Sequence, residues 1–344
     1  MKPPSQKITI KDIARETGLS KSTVSRVLNA PGQVATETRE IVQEAIRRLN
    51  YLPDGNARSM VLQRSFTLGA VVPTLDNAIF SRLLDGFQEV LSAKGFQLLV
   101  AANGYSAAQE AEQIRALAQR NIAGLVLVGG ARSAETYAFL DGHRIPYILT
   151  SVYDENVPSI GWDNRRQGAR LADLVMDLGH RRIGILGGIA RDNDRAAGRI
   201  EGFHGAMQER GVTPDPRATL ECLYSIPAGR EGMRRLLALD PRPTAVLCGN
   251  DVLAFGAVLE CLWQGLRIPQ DISITGFDDL EMASHFFPPL TTLRSPAREM
   301  GIRAAEMLLA AGAGQPMGPS VNYELELILR GTTGPAPASV SPNL

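Results

Sequence analysis

Cysteine, histidine and long apolar runs are scarce in this chain of 344 residues. Cys222, Cys248 and Cys261 have no CxxC spacing and lie among apolar residues, which predicts buried thiols in a reducing compartment rather than a disulfide or zinc framework. No apolar run reaches the roughly 18 residues that a membrane span needs, so no membrane partner is expected. The opening MKPPSQKITIKD has no apolar signal segment, and we expect a cytoplasmic protein.

Enzyme signatures are missing from the sequence as well. It contains no GxGxxG after the first predicted strand, no GxxxxGK[ST], no HExxH and no GxSxG. The four histidines are scattered without the spacing of metal ligands. We therefore expect neither an enzyme nor a metal or cofactor site.

Charge is distributed unevenly, although the formal net charge is zero. Residues 1–64 carry 11 Lys and Arg against 6 Asp and Glu, whereas residues 65–344 carry 25 against 30. A basic head on an acidic body indicates that the head binds a polyanion such as DNA.

Residues 8–50 have the pattern of three short helices. Thr9 can cap the first helix, and Gly18 can end it because glycine adopts a left-handed turn at little cost. Ser20 can cap a second helix, from Lys21 to Leu28, whose apolar face is Val24, Val27 and Leu28.

The third predicted helix runs from about Thr36, its expected cap, to Leu49. Its expected inner stripe consists of Ile41, Val42, Ala45, Ile46 and Leu49.

Two helices joined by a tight glycine turn form a helix-turn-helix. The start of the second helix can present Lys21 and Ser22 to the major groove, and Thr23 and Ser25 can bind phosphates. Arg26 can bind a guanine edge or a phosphate. From these residues alone, a three-helix packing unit with a solvated polar face stays an open alternative.

The segments ITIKDIARETGLSKSTVSRVLN and VATETREIVQEAIRRLNYLPDGNARSM resemble the DNA-binding head of the lac-repressor (LacI/GalR) family. The resemblance covers residues 8–60. It implies base reading by Lys21 and Ser22 and a further DNA contact by Arg26. It also implies backbone contacts by Asn29 and Thr38, and a Tyr51 that packs the head and touches phosphate.

The same resemblance implies a hinge helix over residues 53–64 that binds in the DNA minor groove. Ala57 is small enough for close approach, and Met60 replaces the usual leucine wedge with another apolar side chain. Gly55 costs about 1 kcal/mol of helix propensity, so we expect the hinge to fold on DNA. A plain linker is the alternative.

After residue 65, apolar strands alternate with amphipathic helices. This pattern predicts parallel sheets covered by helices on both faces, with a ligand at the carboxyl ends of the strands. The segments NIAGLVLVG, LGHRRIGILGG, AGRIEGFHGAM, RPTAVLCGNDVLAFGAV and GLRIPQDISITGFDD resemble the periplasmic-binding-protein-like effector domain of the same family.

The predicted fold class is an all-α helix-turn-helix head followed by a two-lobed α/β effector domain with doubly wound parallel sheets. The resemblance places the head at residues 1–52 and the effector domain at 65–334. Lobe 1 is expected at about 65–163 and 291–322, and lobe 2 at about 164–290 and 323–334. The Pro- and Ser-rich residues 335–344 are expected to be a disordered tail.

The resemblance also implies an effector site. Arg199 matches the family's main effector-binding arginine, and its fork suits vicinal hydroxyls or a carboxylate. Asn250 and Asp278 follow predicted strands and can bind hydroxyls. Further candidates are Phe80, Asp163, Asn193 and Arg195. Strand-end caps and ion pairs are the structural alternative for all of these residues.

Asp278 would repel an anionic ligand unless an arginine compensates, so a neutral sugar or polyol is expected first and a sugar acid second. Tyr224 can supply the aromatic cover that many family members have, although its register is open. The sequence thus predicts a homodimeric transcriptional regulator, a repressor by family default, that reads a near-palindromic operator and responds to a small effector. A transporter's solute-binding protein is the second class, against which the basic head and missing signal segment argue.

Overall fold

The computed structural model describes residues 8–52 and 65–337. The predicted hinge at 53–64, with Ala57 and Met60, and residues 338–344 lie outside the described residues. The chain divides into two compact units, Met1–Phe66 and Thr67–Leu344.

The first unit, which we call the head, is helical. Its elements are α1 (Ile10–Thr17), α2 (Lys21–Asn29), a 3₁₀ turn (Pro31–Gln33) and α3 (Thr36–Arg48).

Local chemistry sets the ends of the first two helices. The Thr9 N–H and hydroxyl both donate to Asp12 Oδ2, at 3.0 and 2.8 Å, and so fix the start of α1. Gly18 ends that helix in the left-handed region, with φ of 66°. The Ser20 side chain then accepts from the Thr23 N–H and caps α2.

The core of the head is built from Ile13, Val24 and Val42, all fully buried. Two details predicted for α3 are wrong. Ala35, not Thr36, is the N-cap, because Thr36 is already helical. Ile41 is 46% exposed, because Val42, about 100° further round the helix, takes the core-facing position.

The second unit contains two lobes, and lobe 1 is built on a six-stranded parallel sheet with the order β11-β5-β4-β3-β1-β2. Its strands are β1 (Thr67–Val72), β2 (Gln97–Ala102), β3 (Leu125–Val128), β4 (Tyr147–Thr150), β5 (Ser159–Gly161) and β11 (Val321–Asn322). Its helices are α4 (Ala78–Ala93), α5 (Ala107–Ala118), α6 (Ala134–Gly142) and α12 (Ala297–Gly312). Helices α4 and α12 approach closely at Gly86 and Gly301, where a Cβ atom would meet the facing backbone.

Lobe 2 is built on a four-stranded parallel sheet with the order β7-β6-β8-β9. Its strands are β6 (Ile183–Gly188), β7 (Thr219–Cys222), β8 (Ala245–Cys248) and β9 (Ser273–Thr275). Its helices are α7 (Asn164–Asp177), α8 (Asp194–Glu209), α9 (Ile226–Leu237), α10 (Asp251–Trp263) and the short α11 (Glu281–His285).

The chain passes between the lobes after β5, between β9 and α12, and after β11. Two connecting segments pair as an antiparallel ladder of β10 (Thr292–Arg294) and β12 (Glu326–Ile328). Asp279 holds these segments together, because its carboxylate contacts Arg294 and Arg330, each at 2.8 Å. The crossovers therefore form a braced connection between the lobes.

The end of the described chain packs against lobe 2. Buried His180 contacts Thr244 Oγ1 through Nδ1, and Ser273 Oγ and the Gly334 carbonyl through Nε2, each at 3.0 Å. The Ala336 N–H donates to the Leu178 carbonyl at 2.8 Å. The predicted disordered tail therefore begins too early at residue 335, because backbone hydrogen bonding continues through Ala336.

Within the part of the chain that the structure describes, no helix combines the length and apolarity needed to cross a membrane. The same residues contain no cluster of three or more side chains placed to hold a metal ion. All three cysteines are free; Cys248 and Cys261 are buried and Cys222 is half-buried.

Candidate nucleic-acid interface and effector cleft

The start of α2 presents a polar surface. Lys21 and Ser22 are exposed, and Ser20 Oγ lies 2.7 Å from Ser22 Oγ and 2.8 Å from Thr23 Oγ1. Hydroxyls thus surround a helix N-terminus whose first backbone N–H groups favour anions. This arrangement suits contact with phosphates and with groove edges.

The same helix is anchored by its other face, where Val24 and Val27 are buried in the head core. Arg26 projects outward and makes no ion pair with any described residue of the head. Asn29 Nδ2 donates to Ser25 Oγ at 3.2 Å, which orders the polar side. Of the interface residues predicted on α2, Lys21, Ser22 and Arg26 are therefore exposed, whereas the others are half-buried; these are Thr23, Ser25 and Asn29.

The two remaining described candidates in the head lie elsewhere. Thr38 is half-buried in the first turn of α3. Tyr51 is half-buried, packs against the head core, and donates its backbone N–H to the Ile46 carbonyl at 3.0 Å. The packing role predicted for Tyr51 fits this position, and its phosphate contact stays a prediction.

In the second unit, a partly open cavity lies at the carboxyl ends of the strands of both lobes; the space between its walls is about 400 Å³ when the open solvent at its mouth is included. We call it the inner cavity. Lobe 1 contributes Asn77, Ile79, Phe80, Tyr105, Ser151 and Trp162, and lobe 2 contributes Asn193, Arg195, Arg199, Tyr224, Asn250 and Asp278.

Arg199 lies on α8 and is 6% exposed. Its Nε donates to Asn164 Oδ1 at 3.0 Å, its Nη1 donates to the Gly249 carbonyl, and its Cζ lies 3.6 Å from the centre of the Phe277 ring. Burial lowers the pKa of Arg199, and the nearby Asp278 carboxylate opposes this shift. The Nη2 group has no hydrogen-bond partner among the described residues, so it remains available to a ligand.

Asp278 follows β9 and is also buried. Burial raises the pKa of its carboxyl group to about 6, while the guanidinium groups of Arg199 and Arg195 oppose the increase. No described residue donates a hydrogen bond to the carboxylate. At neutral pH it is therefore a charged acceptor without a protein partner.

Asn193 and Asn250 both cap helices at the cavity. Asn193 Oδ1 accepts from Arg195 Nη2 at 2.9 Å and from the Ala196 N–H, which orients Arg195. Asn250 Oδ1 accepts from the Leu253 N–H at 2.9 Å and leaves its Nδ2 group without a described partner. Asn250 therefore caps a helix with its side-chain oxygen and still has an NH₂ group that can donate to a ligand.

Asp163 does not join the other predicted site residues. It is exposed and caps α7, where its side chain accepts from the Arg166 N–H at 3.1 Å. Its neighbour Trp162 lines the cavity instead, because the chain alternates sides as it leaves β5. The placement of Asp163 in the cleft is therefore wrong.

Several cavity residues were missed by the sequence analysis, and most of them follow strands of lobe 1. Tyr105 follows β2, Ser151 follows β4 and Trp162 follows β5. Position directly after a predicted strand is the signal that could have identified them. Tyr224, whose register was open, does line the cavity, and its ring centre lies 5.6 Å from that of Tyr105.

Three residues that line the inner cavity have an unusual backbone conformation. Tyr105, Ser151 and Asp278 have positive φ values of 62°, 63° and 116°. Such conformations cost about 1–3 kcal/mol for residues other than glycine and cluster at functional sites. Three strained residues around one cavity indicate that its shape is specified at the expense of stability.

A short hydrogen bond between Gly130 and Asp194 is one of those that join the lobes beside the cavity. The Gly130 N–H, at the end of β3, donates to Asp194 Oδ2, at the start of α8, over 2.6 Å. Gly129 has φ of 78°, and a Cβ atom there would lie 2.6 Å from Asp194 Oδ1, so a larger residue would have to displace that carboxylate. We call this contact the interlobe latch.

The fold and the site have counterparts among known proteins. Residues 9–54 match the family described as bacterial regulatory proteins, lacI family, and residues 172–333 match a periplasmic binding protein-like domain. The HTH-type transcriptional repressor PurR of Vibrio cholerae serotype O1 is 35% identical over 311 residues, which cover 88% of this chain and 90% of that protein. The ribose operon repressor of Haemophilus influenzae is 33% identical, with 88% of this chain and 91% of that protein covered.

Solved structures agree with these matches. A LacI-family regulator from Silicibacter pomeroyi has a TM-score of 0.85 at 28% identity, covering 95% of this chain and 99% of that one. The lac repressor dimer bound to operator has a TM-score of 0.84 at 26% identity, covering 96% and 100%. The predicted head-plus-effector fold is confirmed, and the chain belongs to the lacI family of DNA-binding bacterial transcriptional regulators.

Proposed function

We propose that this regulator is a cytoplasmic homodimeric repressor of a near-palindromic operator, controlled by a sugar or sugar derivative that binds the inner cavity. The observation that carries the proposal is a cavity between the lobes in which Arg199 and Asn250 offer donors, and Asp278 a charged acceptor, that have no hydrogen-bond partner among the described residues. Such a set complements several hydroxyl groups on one small ring. No cofactor enters this proposal, and the protein is proposed to have no enzymatic activity.

The charge balance favours a neutral ligand. Arg195 lies 3.8 Å from Asp194, and Arg199 faces Asp278, so each guanidinium has a carboxylate nearby. A sugar acid is the second candidate, because both guanidinium groups line the cavity. Sugars are also named for relatives: one structure is a LacI-family regulator from Enterococcus faecium with bound ribose, and another is a complex of CelR with cellobiose.

A near-palindromic operator implies a dimer, since a protein with two-fold symmetry reads two half-sites with its two heads. The lac repressor relative is a dimer on its operator. Here the end of α10 exposes Leu262 and Trp263, at 42% and 80%, and the edge strand β2 exposes Leu99 and Val100. These apolar surfaces suit contact with a second copy.

The effector would control DNA binding by changing the relative position of the two lobes. The interlobe latch and the braced crossovers hold one relative position of the lobes, and an effector that bridges Arg199 and lobe 1 would favour it. Strand β1 of lobe 1 is the first described strand after the hinge segment, so lobe movement would reach the hinge. A coupling of about 1–3 kcal/mol is sufficient for a useful switch.

The first prediction concerns operator reading. Lys21→Ala should weaken binding to a duplex selected from a random library by about 1–3 kcal/mol and relax preference at one base pair, because a base contact is lost. Fluorescence anisotropy on selected and scrambled duplexes measures both effects. Lys11→Ala, an exposed lysine of α1, is the matched control. A uniform loss on all duplexes would mean that Lys21 contacts only phosphate.

The second prediction concerns the cavity arginine. Arg199→Met keeps most of the side-chain volume but removes the donors, so operator binding should persist while effector response falls by about tenfold or more. Isothermal titration with sugars that stabilise the wild type measures this loss. Arg217→Met, at an exposed arginine of lobe 2, controls for loss of charge. An unchanged effector affinity would remove Arg199 from the site.

The third prediction concerns pH. Because the raised pKa of Asp278 is about 6, its carboxylate becomes protonated as the pH falls through that value and accepts fewer hydrogen bonds. Effector affinity should therefore be full at pH 7.5 and fall by several-fold at pH 5. Asp278→Asn should bind more weakly at pH 7.5 and lose this pH dependence. A pH profile that is the same in wild type and variant would contradict the assignment.

The fourth prediction concerns the interlobe latch. Asp194→Ala removes the acceptor of a charge-assisted hydrogen bond, a loss of about 1.5–3 kcal/mol, so the lobes should separate more easily. We expect weaker effector binding and a larger radius of gyration of the free protein in small-angle scattering. Asp173→Ala, on the exposed face of α7, is the control. Values equal to wild type in both measurements would show that the latch does not hold the lobes.

A further inference from the structure

A buried asparagine lies behind the inner cavity without lining it. Asn164 is the first residue of α7 and is 6% exposed. Its side chain forms hydrogen bonds with three residues, and all three line the inner cavity: Trp162 and Ser151 from lobe 1, and Arg199 from lobe 2. A single amide group therefore contacts both walls of the effector cleft.

Glycines of α8 bring this amide close to the cavity arginine. At Gly202 a Cβ atom would meet the backbone of α7, so the two helices pack closely there. Gly198 directly precedes Arg199, and a Cβ atom at that position would lie 3.2 Å from Asn164 Cβ. The spacing of the two glycines, one helical turn apart, thus places Asn164 beside Arg199.

The two ends of the amide have different partners. Asn164 Oδ1 accepts from Trp162 Nε1 and from Arg199 Nε, each at 3.0 Å, and Asn164 Nδ2 donates to the Ser151 carbonyl at 2.9 Å. Trp162 is only two residues away in the chain, whereas Ser151 follows β4 and so belongs to the sheet of lobe 1. An amide supplies the acceptor and the donor that these partners require.

The same amide fixes the direction of the cavity arginine. Asn164 binds Nε of Arg199 and the Gly249 carbonyl binds Nη1, which leaves Nη2 for a ligand. A displacement of lobe 1 that moves the Ser151 carbonyl would break its bond to Asn164. The position of lobe 1 and the orientation of the Arg199 guanidinium are therefore linked through one side chain.

We propose that Asn164 is the positioning residue that couples Arg199 to lobe 1, so that a ligand held by Arg199 favours one position of that lobe. This role rests on the proposed control by a ligand in the inner cavity and deepens it: Arg199 contacts the ligand, and Asn164 transmits the contact to lobe 1. The interlobe latch is a separate contact, at the end of β3.

Two substitutions separate the functions of the amide. Asn164→Asp keeps an acceptor for Trp162 and Arg199 but places an oxygen instead of an N–H opposite the Ser151 carbonyl, so the link to β4 is lost. Asn164→Ala removes all three hydrogen bonds. Asn121→Asp is the matched control for the added charge, because Asn121 is exposed and precedes β3, at the opposite end of the sheet from the cavity.

The first measurement uses the full-length protein without ligand. The chain has two tryptophans, so labelling with [¹⁵N]tryptophan gives two indole N–H signals, and Trp162→Phe identifies one of them by its loss. In Asn164→Asp this signal should exchange with water as slowly as in wild type, because its acceptor remains. In Asn164→Ala it should exchange faster. Small-angle scattering should show a larger radius of gyration in both variants and the wild-type value in Asn121→Asp.

The second measurement separates ligand binding from the response to it. D-ribose, D-glucose, D-galactose and D-xylose are titrated by calorimetry, and affinity for the selected duplex is measured with and without each sugar by fluorescence anisotropy. For a sugar that binds wild type, Asn164→Asp should keep its affinity within about threefold but lose most of the sugar-dependent change in duplex affinity. Asn164→Ala should lose both, and Asn121→Asp should keep both.

A wild-type radius of gyration in either Asn164 variant would overturn the proposal, because lobe 1 would then be held without this amide. So would an Asn164→Asp protein whose sugar affinity and response fall in parallel, since Asn164 would then act on Arg199 alone. If none of the four sugars binds wild type, the sugar function fails, and the ligand-free measurement decides the role of Asn164.

Discussion

The buried guanidinium of Arg199 is the constraint on which the effector unit depends. Removing such a charge from water costs several kcal/mol unless it is fully compensated. Compensation comes from the Asp278 carboxylate and from Asn164, Gly249 and the Phe277 ring. Asn164 in turn donates to the Ser151 carbonyl of lobe 1, so the environment of this one charge spans both lobes. A shift of the lobes therefore changes the surroundings of Arg199 directly, which is what a sensor requires.

Much of the head could be read from its sequence because its structure is set locally. Thr9, Gly18 and Ser20 act within a few residues of themselves, so their types and spacing were sufficient. The errors in α3 arose where local rules leave a choice: Ala35 and Thr36 differ by one position, and Ile41 and Val42 are both apolar. Packing against α1 and α2 makes that choice, and a single helix pattern does not contain it.

The effector cleft was less predictable from the sequence than the head. Strand-end positions and the family resemblance identified five candidates that the structure places around one cavity: Phe80, Asn193, Arg199, Asn250 and Asp278. Their role in binding stays a prediction. The prediction for Asp163 was wrong because neighbouring side chains point to opposite sides of the chain after β5, so that Trp162 faces the cavity and Asp163 faces solvent. Tyr105 and the interlobe latch depend on contacts between segments far apart in sequence, and no local signal encodes such convergence.

The order of the lobes along the chain has a consequence for synthesis. Lobe 2 takes nearly all its sheet and helices from one continuous stretch between α7 and α11, whereas lobe 1 lacks the partner of α4 until α12 has been made. During translation, the sheet of lobe 1 would therefore leave the ribosome first but wait with an uncovered apolar face while lobe 2 forms. Nascent lobe 1 is thus the part of the second unit whose apolar face stays uncovered until α12 has been made.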